Sequence, residues 1–247
     1  MREVACVGVV RTMLVADIVA LGGPGAPAVI VTAGVHGDEQ AAPWALLSLA
    51  RDGLLDRGFA YRLWPCTNPS GYVLGTRESA DGIDLNRSFG RGGSSPEARA
   101  MIAANSDRRF VLNLDLHEDF EADGFYCYEP KVDDVPFGRA IVQAIDDAGL
   151  PVQDLQHGYE LGYPPTARHY TLERGRVIPD AEIEATFERK LPHSISLLRS
   201  GAARRSLTFE SPRCRPWKDR IAIHRIAVVT SLERSRAQVQ TEIGSFT

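Results

Sequence analysis

Short apolar runs separated by segments of helical spacing constrain this chain more than any other feature. The runs are Ala28–Thr32 (AVIVT), Tyr61–Cys66 (YRLWPC) and Phe110–Leu116 (FVLNLDL). Each is too short for a buried helix, and AVIVT is rich in the β-branched residues that favour strands covered on both faces. Between and after them, Leu46, Leu47, Ala50 and Leu54 recur at helical spacing, as do Phe137, Ala140, Ile141, Ala144, Ile145 and Ala148. Another helix is expected over Ser95–Ala104, with Pro96 in its first turn. Strands alternating with helices predict an α/β fold: a three-layer sandwich with a mixed, largely parallel central sheet and helices on both faces.

The flanks complete that expectation. Two strands, Glu3–Val10 and Met13–Ala20, precede a GGPGAP turn, and Asn68-Pro69-Ser70-Gly71 reads as a further turn. Pro151–Pro179 reads as loop, followed by two short helices and a last strand, Ser206–Glu210. A closing helix is expected to bury Trp217, Ile221, Val228 and Leu232 along one face.

With 247 residues, 44% of them hydrophobic, the chain can bury one core, so residues 1–247 are read as a single domain. A net charge of −4 argues against a nucleic-acid or anionic-membrane partner. No window of 18 uncharged apolar residues and no signal-peptide pattern occurs, and the cysteines at 6, 66, 127 and 214 form no C-x-x-C pair. The expectation is a cytoplasmic protein with isolated thiols.

In α/β sheets, ligands gather beyond the carboxyl ends of the strands. His36 and Glu39 follow the first run, His117 ends the third, and Glu210 ends the last strand. His-x-x-Glu can converge on one point, with Gly34 and Gly37 allowing the turn. Taken alone, the pair also reads as an exposed histidine near acids, and His117 as a hydrogen-bonded core residue. Together, two imidazoles and a carboxylate make a three-ligand zinc site with an open position, the pattern of catalytic rather than structural zinc. Arg77, Asn86 and Arg87 offer planar donors for a carboxylate or read as surface groups. Glu210 reads as a general base or as a solvated strand end.

In that order, the segments GVHGDE, NPSGYVLGTRESADGIDLNRSF, LDLH and TFESP resemble the zinc carboxypeptidase family of the carboxypeptidase A type in its compact bacterial form. The resemblance covers Ala28 to Pro212, with little signal between Cys127 and Arg204. It implies one zinc per chain on His36, Glu39 and His117, and Asp84 as the acid that orients His36. It implies Arg77 as the oxyanion-stabilising arginine, Asn86 and Arg87 as the pair holding a substrate carboxylate, and Glu210 as general base. The family's substrate-binding tyrosine has no clear counterpart, though Tyr159, Tyr163 and Tyr170 lie in a plausible loop region.

The implied activity is a metallocarboxypeptidase or related amidase acting on a peptide. GVHGDE and the later histidine are also similar to the succinylglutamate desuccinylase/aspartoacylase group, which leaves an N-acyl-amino-acid deacylase as the alternative. A non-catalytic binding module on the same fold is a third. Glu118 and Asp119 read as solvated loop acids, or else, with Asp115 on the same strand face as His117, as groups favouring a cationic or zwitterionic substrate end near the scissile bond. His224 reads as structural, and His157, His169 and His193 lack ligand-like spacing.

Overall fold

A computed structural model describes residues 4–10, 13–19, 25–90, 92–130, 135–155, 170–179 and 190–244, with side chains of 4–10, 13–19, 170 and 242–244 excepted. Its centre is a sheet with nine strands among the described residues: β1 (Val4–Val10), β2 (Met13–Val19), β3 (Ala28–Ala33), β4 (Ala60–Cys66), β5 (Leu112–Asp119), β6 (Tyr126–Tyr128), β7 (Tyr170–Glu173), β8 (Arg176–Pro179) and β9 (Ser206–Pro212). The order is β1-β2-β4-β3-β5-β9-β6-β8-β7. Strands β4, β3, β5 and β9 run parallel as a central block. Antiparallel partners flank it, β2 on β4 and β6 on β9, so the sheet is mixed.

Period-two alternation explains the apolar runs. Val29, Val31 and Ala33, Leu112, Leu114 and Leu116, and Leu207 and Phe209 share one fully buried cluster. Helices α1 (Ala41–Arg51), α4 (Gly138–Asp147) and α6 (Trp217–Gly244) cover that face with Leu46, Leu49, Ile141, Ile145, Ile223, Val228 and Leu232. Ile30 and Trp64 point the other way, against Ala98 and Met101 of α3 (Pro96–Asn105) and Leu197 of α5 (His193–Arg199). The expected two-faced sandwich is therefore present. Of the described helices, none is long and apolar enough to cross a membrane.

Three local expectations change, and a fourth lies partly outside the described residues. The 68–71 turn is the start of a short helix, α2 (Pro69–Leu74), because Asn68 caps it by accepting from the Gly71 N–H at 2.9 Å, with Pro69 in its first turn. The stretch read as loop contains the β7–β8 hairpin, turned at Gly175 with φ 69°. Of the two short helices expected before β9, the described residues show α5; residues 180–189 lie outside them. On α6 the buried stripe runs through Ile223, Ala227, Val228 and Leu232, while Ile221 is half-buried and Trp217 is 43% exposed. Trp217 opens the helix, and its ring is covered by the Arg220 guanidinium 5.2 Å away instead of by the core.

Candidate active site

At the carboxyl end of β3 the chain leaves the sheet through Gly34, whose φ of 64° lies in the left-handed region that glycine adopts without strain. His36 and Glu39 follow in a turn ahead of α1, joined by the Glu39 N–H donating to the His36 carbonyl at 3.4 Å. Their convergence comes from this turn rather than from a shared helix face. Gly37 serves a different need from Gly34. A Cβ there would stand 2.0 Å from the Gly71 carbonyl carbon, so the loop packs backbone to backbone on α2.

His117, on β5, meets the same loop. Its Nδ1 lies 2.8 Å from Glu39 Oε2, and His36 Nδ1 lies 2.5 Å from Glu39 Oε1. All three residues are buried, and their donor atoms lie within 4.8 Å of one another. Each imidazole turns its other nitrogen toward an aspartate: His36 Nε2 is 3.3 Å from Asp84 Oδ1, and His117 Nε2 is 3.5 Å from Asp115 Oδ2. This carboxylate–imidazole pairing sets which nitrogen faces a metal. Two imidazoles and a carboxylate, buried and facing one another, are a donor set that fits zinc.

The electrostatics follow from burial and proximity. Burial opposes the charge on Glu39, but His36 and His117 hold its carboxyl well below the usual carboxylate range. Burial likewise works against a charged His117, while Glu39 and Asp115 outweigh it and raise the imidazole. Asp84 is held low despite burial by His36, Arg77 and Arg87.

Arg77 lies beside the cluster. Its Nη1 is 3.3 Å from His36 Nδ1, while Nε and Nη2 donate to Asp84 Oδ2 at 3.3 and 3.0 Å. The Arg77 carbonyl accepts from the Gly37 N–H and from Asn68 Nδ2, which tethers this arginine to the loop that carries His36 and Glu39. Arg87 is half-buried on the same 3₁₀ turn, Leu85–Arg87. Asn86 is buried, and its Oδ1 accepts from the His193 N–H at 3.2 Å, so only its amide nitrogen can serve a ligand. Glu210 pairs in register with His117 across β5 and β9, and with Tyr126 on its other side. Desolvation raises the Glu210 carboxyl well above its ordinary value, Glu39, Asp119 and Asp115 add to this, and His117 opposes it.

Asp115 is fully buried beside His117, on the strand face that the two-residue step in Asp-x-His predicts. His193 is buried, with its Nδ1 3.4 Å from the Thr32 hydroxyl, and nothing in its local sequence announces this. Glu118 is no solvated acid. It is 4% exposed, and its carboxylate accepts from Arg220, Ser211 and the Ala41 N–H, because strand alternation turns it to the helix face opposite His117. Asp119 accepts from the Tyr126 hydroxyl at 2.7 Å. For Glu118 the expected pull on a cationic substrate end therefore loses its basis, whereas Asp119 shares the strand face of His117 and acts on Glu210. His224 is fully buried and structural as expected, and burial pushes its imidazole down to about 3. Tyr159, Tyr163, His157, His169 and the Tyr170 side chain lie outside the described residues.

Among solved structures, the chain resembles a candidate metallopeptidase from Shewanella amazonensis SB2B, with a TM-score of 0.72 and 22% identity over 92% of this chain and 85% of that one. It resembles a metallo-carboxypeptidase from Burkholderia cenocepacia with a TM-score of 0.68 and 19% identity, over 94% of this chain and 65% of that one. Carboxypeptidase A from Helicoverpa armigera follows at 0.59 and 18%, over 91% and 64%. These likenesses concern the fold. Among curated proteins, none matches. The model of the succinylglutamate desuccinylase/aspartoacylase catalytic domain matches residues 25–163, a span that holds His36, Glu39, Arg77, Asp84, Asn86, Arg87 and His117. With more than half of its length matched, the chain belongs to the succinylglutamate desuccinylase/aspartoacylase family.

Proposed function

We propose that the protein is a zinc-dependent hydrolase of an amide bond close to a free carboxylate, of the metallocarboxypeptidase kind or a closely related amidase. The observation that carries this reading is the buried His36–Glu39–His117 cluster with Glu210 in register beside His117. When bound there, zinc polarises the scissile carbonyl and acidifies the attacking water.

The chain's own groups do the rest. Glu210 takes the water proton at a carboxylate oxygen and returns it to the departing nitrogen. Its half-buried, partly desolvated setting suits this, since a carboxylate held above its ordinary value is a stronger base. Asp84 grips Arg77 through two N–H groups, which leaves Nη1 beside the metal cluster to stabilise the developing oxyanion. Arg87 and the Asn86 amide nitrogen hold the substrate carboxylate, so that the scissile bond is presented in one orientation. Asp84 and Asp115 fix the two imidazoles.

A second reading, an N-acyl-amino-acid deacylase, is favoured by the family match over residues 25–163. In both, the amide nitrogen belongs to the residue that carries the free carboxylate; the two differ in whether a peptide chain or a short acyl group lies on the carbonyl side. Zinc-loaded protein should be assayed on short peptides with free and with amidated C-termini, and on N-acyl amino acids. Turnover of free-acid peptides with loss on amidation supports the first reading, and turnover confined to N-acyl amino acids supports the second. No hydrolysis of any of them by protein shown to hold zinc would overturn both.

A further inference from the structure

We propose that Glu118 is a positioning residue for the metal centre, holding the segments that carry it in place from the far side of the sheet. The proposal rests on the metal-site reading, though not on any choice of substrate.

Glu118 follows His117 on β5, and strand alternation turns its carboxylate away from the metal cluster into the layer between the sheet, α1 and α6. There it accepts four hydrogen bonds. The Ala41 N–H donates to Oε2 at 3.0 Å and the Ser211 hydroxyl to Oε1 at 3.2 Å. Arg220 on α6 donates through Nε to Oε1 at 2.6 Å and through Nη2 to Oε2 at 2.8 Å.

The partners are not scattered. Ala41 stands two residues after Glu39, Ser211 stands directly after Glu210, and Glu118 itself stands directly after His117. One buried carboxylate thus ties together the three chain segments that supply the β5 ligand, the loop ligand and the candidate base.

The chemistry explains why a carboxylate fills this place. Helix α1 begins at Ala41, and the side chain of Gln40 makes no capping bond. The helix therefore takes its acceptor from a strand 77 residues further on. A negative group at that terminus also meets the positive end of the helix dipole. The charge is affordable in the interior only because Arg220 answers it with a two-point guanidinium contact. Trp217 lies on the other side of that guanidinium and limits its freedom. If the tie were lost, α1 and the loop that enters it could shift against β5, and ligand geometry tolerates only about 0.2 Å.

The test reads zinc affinity by chelator competition beside the melting temperature of the metal-free protein. Arg220→Lys keeps the charge and loses the fork. The paired variant Glu118→Met with Arg220→Met fills the same space with apolar chains, an exchange that is often neutral for stability. The expected result is metal-free melting lowered by only a few degrees in the pair, since the Ala41 N–H and Ser211 hydroxyl lose their acceptor, with zinc affinity weaker by about 10- to 100-fold. The visible spectrum of the Co²⁺-substituted pair should shift with it, as a changed ligand geometry requires and lost packing does not. Arg220→Lys should fall between the pair and the wild type. Unaltered affinity and spectrum in a well-folded pair would overturn the proposal. If the pair melts early, Arg220→Lys decides the matter, and wild-type affinity there overturns it equally. Wild-type protein that binds no zinc would instead sink the metal-site reading beneath, a separate result.

Discussion

Gly37→Ala should disable the metal site without touching a ligand. The added methyl would stand 2.0 Å from the Gly71 carbonyl carbon, 2.2 Å from the Tyr72 nitrogen and 2.5 Å from the Gly71 Cα. All three are backbone atoms, so no side chain can rotate away. Carbon atoms in contact sit about 3.5–4.0 Å apart, so the two segments must separate by about 1.5 Å. Helix α2 cannot simply move back, because Gly71 is itself lodged against Asn68 and the Glu78 carbonyl. The loop must give instead, and with it His36 and Glu39 on either side of the substitution, as well as the Gly37 N–H bond to the Arg77 carbonyl. Overpacking of this kind costs about 1–3 kcal/mol. For a chain of this size that lowers the melting temperature by about 2–4 °C per kcal/mol. The same energy charged to metal binding weakens zinc affinity by about 5- to 150-fold, at tenfold per 1.4 kcal/mol. Thermal melting of metal-free protein and a chelator-competition titration measure the two effects. Wild-type melting together with wild-type affinity in Gly37→Ala would refute the close backbone approach and the account of the loop built on it.

Glu210→Gln should keep zinc and fold while losing about 10²–10⁴-fold in kcat, the usual span for a positioned acid–base group; retained turnover removes Glu210 from that role. Arg87→Ala should raise KM on free-acid substrates and matter much less on amidated ones, and an equal penalty on both would contradict the carboxylate clamp. His224 is buried with neither ring nitrogen hydrogen-bonded among the described residues, and its imidazole is held down to about 3 against about 6.5 when unfolded. Because the unfolded chain takes up a proton there first, stability is intact above pH 6.5 and falls by about 1.4 kcal/mol per unit as the pH drops toward 3. His224→Leu should flatten that acid limb in urea melts between pH 6.5 and 4, and an unchanged slope would show that other groups set it.

The α/β class, the central strands and the candidate metal-binding cluster were legible in the amino-acid order because most of each rests on short-range rules. AVIVT reads as a doubly covered strand since consecutive β-branched residues suit no other environment as well, and Val29, Ile30 and Val31 are all fully buried. His36-x-x-Glu39 lies within one turn, so its convergence needs only local geometry. His117 could be added because parallel strands end together in an α/β sheet. Residues 170–179 were read as loop because two four-residue strands on the outer edge carry little periodicity of their own. On α6, a helix with polar residues on most faces, the apolar stripe admits more than one phase, and Trp217 drew the reading to the wrong one.

What the order of residues determined by itself was the chemistry available: two histidines and a glutamate near strand ends, Arg77 and Arg87 between them in the chain, and a carboxylate near the end of the last strand. Tertiary structure alone decided which acid does what. Asp115 and Glu118 flank the same histidine in LDLHED, and composition treats them alike. Pleating sends Asp115 toward His117 Nε2 and Glu118 to the opposite face, where α6 delivers Arg220 and α1 delivers its first N–H. The partner that settles the role of Glu118 stands 102 residues along the chain. No local pattern encodes that distance, because a buried charge is stabilised by whichever opposite group the packed layers bring against it.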